Sequence, residues 1–269
     1  MAGADDPRLR RRAARAAARR RDDALEARLA HPIYDAVRPW LGIERSLAAL
    51  NAAAEAAALR TASGRPLRFV PPGKRRAGYE LQVHDTGGVE TRPENLHDWF
   101  NALCWLAFPR TKALINALHA AEIPREAGAR RGRLRDLLTI FDEGGALVVC
   151  ADEELNRLVR EFRWQELFWS RRERVRQHMH LVVVGHAALE QALKPWPGIS
   201  CKALFIRPDE NCDEAAAAWL ARLPAGASPR ELAPLPVFGY PGWMPAQDER
   251  FYAEERYFRE RPGSAFPAT

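Results

Sequence analysis

At 269 residues, with 47% apolar and 28% charged side chains, the chain has the make-up of a globular protein that can bury a core. Its longest candidate apolar run, Ala102 to Phe108, is far short of the roughly 20 residues a membrane-spanning helix needs. The net charge is +6, but nine arginines against five acids in residues 1–30 supply +4 of it. The rest is nearly neutral, so only the extension offers nucleic acid or acidic lipid an electrostatic footprint.

Four of the 41 basic residues are lysines, an arginine and alanine bias that fits a GC-rich bacterial genome as well as phosphate binding. Cys104, Cys150, Cys201 and Cys212 are widely spaced, with no metal-ligand or redox spacing, which points to a reducing cytoplasm. Asp5 and Asp6 stand where a signal peptide carries positive charge, and no apolar stretch follows, so a cytoplasmic protein is expected.

Residues 1–30 read as an arginine- and alanine-rich extension, charged and helical over 8–30. A single α+β domain is expected over 31–246, its helices packed around a small, mostly antiparallel sheet, with 247–269 as a charged aromatic helix and tail. Within the domain, 44–59 is an alanine-rich helix with Leu47, Leu50 and Leu59 on its apolar side. A strand at Leu67–Val70 ends at Pro71-Pro72-Gly73, and Tyr79–His84 alternates as a second strand before Gly87-Gly88. Pro93 suits the first turn of a helix running to Phe108, and Pro109 forces a break before another helix over 111–121.

Leu137–Phe141 and Ala146–Cys150 read as a β-hairpin around Asp142-Glu143-Gly144-Gly145. A helix over 134–141 is the competing assignment, since Leu134, Leu137, Leu138 and Phe141 also fit a period of 3.6. Asp152 caps a helix to Phe162, and a further helix carries Trp164, Leu167, Phe168 and Val175 to His178. Leu181–Val184 is strand-like by composition but equally fits a buried helix continuing into Gly185, Ala203–Ile206 is strand-like, and His186–Leu193 and Glu214–Leu223 are helical. Residues 224–246, rich in Pro and Gly, form a loop anchored by Phe238, Tyr240 and Trp243, and Asp248–Glu260 forms the last helix.

Residues 94–116 are the most informative stretch, because reactive polar groups interrupt an aromatic and apolar face. His97 and Asn101 share a helical face with Asp98 beside them, a cluster suited to general-base chemistry or metal ligation. The competing reading is a buried polar network. His186 and Glu190, four apart, can present two metal ligands on one face, and Glu143 adds an acid. Arg110 and Lys112, at a helix start after Pro109, make a pocket for an anionic substrate group. No phosphate loop, nucleophile elbow, HExxH or GxGxxG is present.

The run Asn95-Leu96-His97-Asp98-Trp99-Phe100-Asn101-Ala102-Leu103, followed by Phe108-Pro109-Arg110-Thr111-Lys112, resembles a bacterial, chiefly proteobacterial, family known as domain of unknown function 3025. Phe141-Asp142-Glu143, Gly145, Gly185-His186-Ala187, Glu190, Pro197-Gly198-Ile199 and Lys202-Ala203-Leu204 extend the resemblance over roughly 30–245. The resemblance implies no activity. From the residues themselves, the leading expectation is a hydrolytic enzyme in which His97, Asp98, Asn101 and Glu143 act on an anionic substrate held by Arg110 and Lys112. His186 and Glu190 would bind a divalent metal ion. The alternative is a non-catalytic module that binds protein or nucleic acid.

Overall fold

The computed structural model describes residues 24–73, 78–125 and 131–260. Residues 24–29 of the extension are helical, and its first 23 residues lie outside the described set. Helix α1 (Leu47–Ala56) opens on Ser46, whose hydroxyl accepts from Ala49 N at 3.2 Å. Asn51 on α1 brackets Phe69 in β1 (Arg68–Val70), donating to its carbonyl at 2.9 Å and accepting from its N–H at 2.8 Å.

Strand β1 pairs in parallel with β2 (Gly88–Glu90), and parallel neighbours need a crossover. Helix α2 (Tyr79–Thr86) supplies it, which corrects the strand expected over 79–84. Of its apolar residues only Val83 is fully buried, and Gly87 at φ +76° ends it by returning its N–H to Val83. Helix α3 (Leu96–Ala107) begins later than Pro93, after Asn95, whose side chain accepts from Asp98 N at 3.0 Å. Pro109 breaks the chain as expected and becomes the first residue of α4 (Pro109–Glu122).

The expected hairpin across Asp142–Gly145 is instead the end of helix α5 (Arg133–Gly144) running directly into β3 (Gly145–Cys150). The helical period decided it: Leu134, Leu137, Leu138 and Phe141 are all buried on one face. Gly145 makes the junction because a Cβ there would lie 2.3 Å from the Phe141 carbonyl oxygen. Asp152 caps α6 (Glu153–Arg160), as its position in the sequence implies. The helix closes with Phe162 N bonded to Val159 O and Arg163 N to Leu158 O, a Schellman ending. Phe162 occupies the left-handed position at φ +60°, where glycine is usual, at a cost of roughly 1–2 kcal/mol.

A π-helical turn (Glu166–Ser170) interrupts the next expected helix, of which α7 (Arg172–His178) is the regular part. Then come β4 (Met179–Val183), α8 (His186–Gln191), β5 (Ser200–Ile206), α9 (Cys212–Ala221) and β6 (Ala233–Pro236). The main sheet has the order β4-β3-β5-β6, with β3–β4 and β5–β6 antiparallel and β3–β5 parallel. Strand β3 is buried along its whole length, sending Ala146, Val148 and Cys150 into one apolar cluster and Leu147 and Val149 into another. The first cluster holds α1, α3 and α8, and the second holds α5 and α9. The fold is therefore α+β, with helices on both faces of a mostly antiparallel sheet. No helix among the described residues is long and apolar enough to cross a membrane.

Phe238 and Trp243 are buried, so the 224–246 segment is laid onto the body as expected. Gln247 holds it there, donating to the Phe238 and Tyr240 carbonyls at 2.9 and 3.0 Å and accepting from Gly242 N at 2.6 Å. The last expected helix is shorter than Asp248–Glu260. Only α10 (Glu249–Tyr252) forms, and the chain then turns so that Phe258 packs 5.1 and 5.4 Å from the rings of Phe251 and Tyr252. Gln247→Leu should cost on the order of 2–3 kcal/mol in urea unfolding, because three hydrogen bonds go and buried backbone groups lose their partner. A change near zero would show that the loop is held by its rings alone.

Candidate active site

The residues singled out in α3 and α8 meet at a cleft of about 660 Å³. Its walls come from the start of α2 (Tyr79, Glu80), the segment after β2 (Arg92), α3 (His97, Asp98, Asn101), α4 (His119), the end of α5 (Asp142, Glu143) and the start of α8 (His186). Helix α8 can lie this close only because residue 185 is glycine: a Cβ there would fall 2.5 Å from the Glu143 carbonyl oxygen.

The floor is an ion pair. Lys112 Nζ, on a residue only 4% exposed, donates to Asp142 Oδ1 and, at 2.8 Å, to Asn101 Oδ1. Burial pushes the Asp142 carboxyl up, but the charge and hydrogen bond of Lys112, together with neighbouring groups, bring it below the ordinary carboxylate range. Asn101 also bonds the Tyr79 phenol, joining α2 and α3 to the same network. Lys112 is thus a foundation of the cleft, which corrects its assignment as a cation for substrate.

Arg110 is corrected more completely. Its guanidinium pairs with Glu214 at 2.9 Å, and it does not line the cleft. The anion expected at the start of α4 is present, but it belongs to the protein. Asp213 accepts from Arg110 N at 2.9 Å and Thr111 N at 2.8 Å.

Two imidazoles stand above the floor. His186 Nδ1 donates to the Asp142 carbonyl at 2.8 Å, and burial lowers the pKa of this imidazole to about 4. Its Nε2 is therefore a lone-pair acceptor. His97 Nδ1 lies 2.9 Å from Glu190 Oε2, and the two Nε2 atoms are 3.2 Å apart. Glu190 therefore orients His97 and does not form a ligand pair with His186. Two arrangements satisfy these contacts. In one, His97 carries both ring protons. In the other, both rings carry their proton on Nδ1, and two Nε2 lone pairs converge on a shared cation.

Asp98 is committed to Arg92, through two side-chain bonds of 2.8 Å and one from the Arg92 backbone at 2.7 Å. Burial pushes the Asp98 carboxyl up, but these bonds and the charge of Arg92 bring it below its ordinary range. Its part is to fix an exposed guanidinium at the rim. Glu143 sits exposed at the lip. Among the described residues no group of three or more His, Cys, Asp and Glu is arranged to hold a metal ion.

Glu80 and His119 escaped the sequence reading. Burial raises the Glu80 carboxyl against the opposing hydrogen bond from Asn116 Nδ2, 2.7 Å from Oε2. His119, only 3% exposed, accepts from Arg135 Nε at 3.3 Å, and burial lowers its pKa to about 4. A signal was available, since Lys112, Asn116 and His119 fall at i, i+4 and i+7 on one face of α4, a polar stripe turned inward. For Glu80 there was none while 79–84 read as a strand.

The profile of a family described as a protein of unknown function (DUF3025) matches residues 67–262, so the chain belongs to that family. The match starts after α1 and extends past α10, further toward the C-terminus than the resemblance in the sequence. No curated protein and no solved structure matches the chain.

Lys112→Met should destabilise the protein by up to about 3–5 kcal/mol, because it leaves the Asp142 carboxylate, 21% exposed, without its partner. Adding Asp142→Leu should recover much of that loss, and failure to do so would mean that the pair is not the floor. His119 is neutral in the folded protein. The unfolded chain takes up a proton below pH 6.5 that the fold refuses until about 4. Its contribution is complete above the higher value and falls by about 3 kcal/mol as pH drops to the lower one. Glu80, with a raised pKa, works in the opposite direction. His119→Gln should therefore flatten the fall in denaturation midpoint over that interval.

Proposed function

We propose that this cleft is the active site of a hydrolytic enzyme acting on a small anionic substrate, with a divalent cation shared by His97 and His186. The carrying observation is the pair of Nε2 atoms 3.2 Å apart, with an acceptor facing each Nδ1. Two imidazole nitrogens about 2.0–2.1 Å from a tetrahedral metal stand about 3.3 Å apart. Metal-bound histidines characteristically give their other N–H to a carboxylate or a carbonyl, and Glu190 and the Asp142 carbonyl stand in those places.

A cation held by His97 and His186 would supply a water acidic enough to act as a nucleophile near neutral pH. Catalytic zinc sites commonly use three protein ligands, and this pair supplies two. An ion held by this pair alone would be exchangeable. Glu143 at the lip takes the proton from the attacking water. Glu80, with its raised carboxyl, returns one to the leaving group. Arg92, held by Asp98, receives the anionic part of the substrate at the rim. Four free cysteines, three of them buried, support work in a reducing, cytoplasmic setting.

The competing arrangement places a proton between the rings, at the long end of hydrogen-bond distances. Titration of the purified chain with Co²⁺ or Zn²⁺, followed by absorption and calorimetry, separates the two. Saturation at one ion per chain is expected, with Glu190→Gln weakening it by about 10–100-fold and His186→Ala abolishing it. Glu80→Gln should then lower kcat by about 10²–10⁴ on whichever phosphate or carboxylic ester is turned over. A wild-type chain that binds neither ion stoichiometrically removes the metal, and one inert toward every ester class removes the hydrolase.

A further inference from the structure

A second cavity, also about 660 Å³, shares no lining residue with the cleft. It opens where β6 stops pairing with β5. The ladder between them ends at Ala203, and Leu204 and Phe205 continue beyond it beside Leu232, Ala233 and Pro234. Aromatic rings from three elements face this space: Phe162 after α6, Phe205 on β5 and Trp219 on α9.

The charged lining is mostly positive, with Arg160, Lys202 and Arg230 against Glu231. Arg160 places its guanidinium 4.0 Å from the Phe205 ring centroid, and its nearest carboxylate, Glu153, is 4.0 Å away. Among the described residues Lys202 Nζ has no hydrogen-bond or ion-pair partner, although the residue is half buried and burial lowers its pKa. A half-buried ammonium with no partner in the chain gives up part of its hydration and is free to meet an anion from solution. Phe162 adds an independent observation. It holds the left-handed position of a helix ending that glycine would fill without strain, and its side chain lines the cavity.

We infer that this cavity binds a small aromatic anion, a planar ring bearing a carboxylate or a phosphate. The ring lies among Phe162, Phe205 and Trp219, and its charged group meets Lys202 and Arg230. Stacking on aromatic faces and guanidinium planes holds the flat body, and the two cations give orientation. The site is independent of the chemistry proposed for the cleft.

Two probes distinguish the carboxylate source from the phosphate source: indole-3-carboxylate and adenosine monophosphate, titrated into the full chain and followed by NMR and calorimetry. At least one should saturate, shift the indole N–H of Trp219, and bind more weakly at high salt. Lys202→Met keeps the apolar stem and should weaken binding by about tenfold or more, as should Arg230→Met on the exposed rim. Phe162→Gly should lower affinity while relieving the backbone, and His97→Ala should leave affinity unchanged. Absence of saturable binding by both probes overturns the inference. So does binding that survives both cation substitutions in chains whose melting temperature is unaltered.

Discussion

The buried ion pair of Lys112 and Asp142 is the constraint on which the cleft rests. Removing an ammonium and a carboxylate from water costs several kcal/mol per ion, and their attraction offsets this only when the remaining hydrogen-bonding capacity is used. Here it is used by groups from other helices. Asn101 accepts the second Lys112 bond and reaches Tyr79, and His186 Nδ1, bonded to the Asp142 backbone carbonyl, also lies 3.6 Å from the second carboxylate oxygen. One electrostatic requirement therefore fixes α2, α3, α4, α5 and α8 relative to each other. The positions of the two imidazoles follow from that register and are not set by either helix alone.

The close backbone packing at Gly185 works in the same direction. Val184 N and Gly185 N both donate to the Gly145 carbonyl at 2.9 Å, so the entry to α8 is pinned to the exit of α5. Two glycines, 145 and 185, let two chain reversals share one corner without side chains between them. A histidine mounted on such a corner has little freedom, which is what a preorganised site requires.

Much of this was legible in the sequence. The caps at Asn95 and Asp152 follow from residue type, the α3–α4 joint from Pro109, and the strand character of 203–206 from its apolar run. Among the candidate site residues, His97, Asp98, Asn101, Glu143, His186 and Glu190 do come together. What misled was local ambiguity. Tyr79–His84 alternates like a strand, yet it bridges two parallel strands and must cross over. Gly144-Gly145 reads as a hairpin turn, yet it joins a helix to a strand. Arg110 and Lys112 look like a matched pair in sequence, but two residues along a helix turn them about 200° apart, one to the surface and one beneath the floor. No single-sequence signal announces that Asp142 or Asp213 will come from a distant element to meet them.

The four-residue strand β6 carries prolines at 234 and 236, opposite Lys202 and Ser200. Proline has no N–H to give, so β6 can bond to β5 only through the donors of Ala233 and Leu235. At the alternate positions, the side of β6 away from β5 has no donor to offer. An approaching strand from another copy of the chain would find carbonyls without matching N–H groups. The sheet is thereby closed to extension at this edge, and a molecule with so apolar a central strand is protected there from growing into a filament.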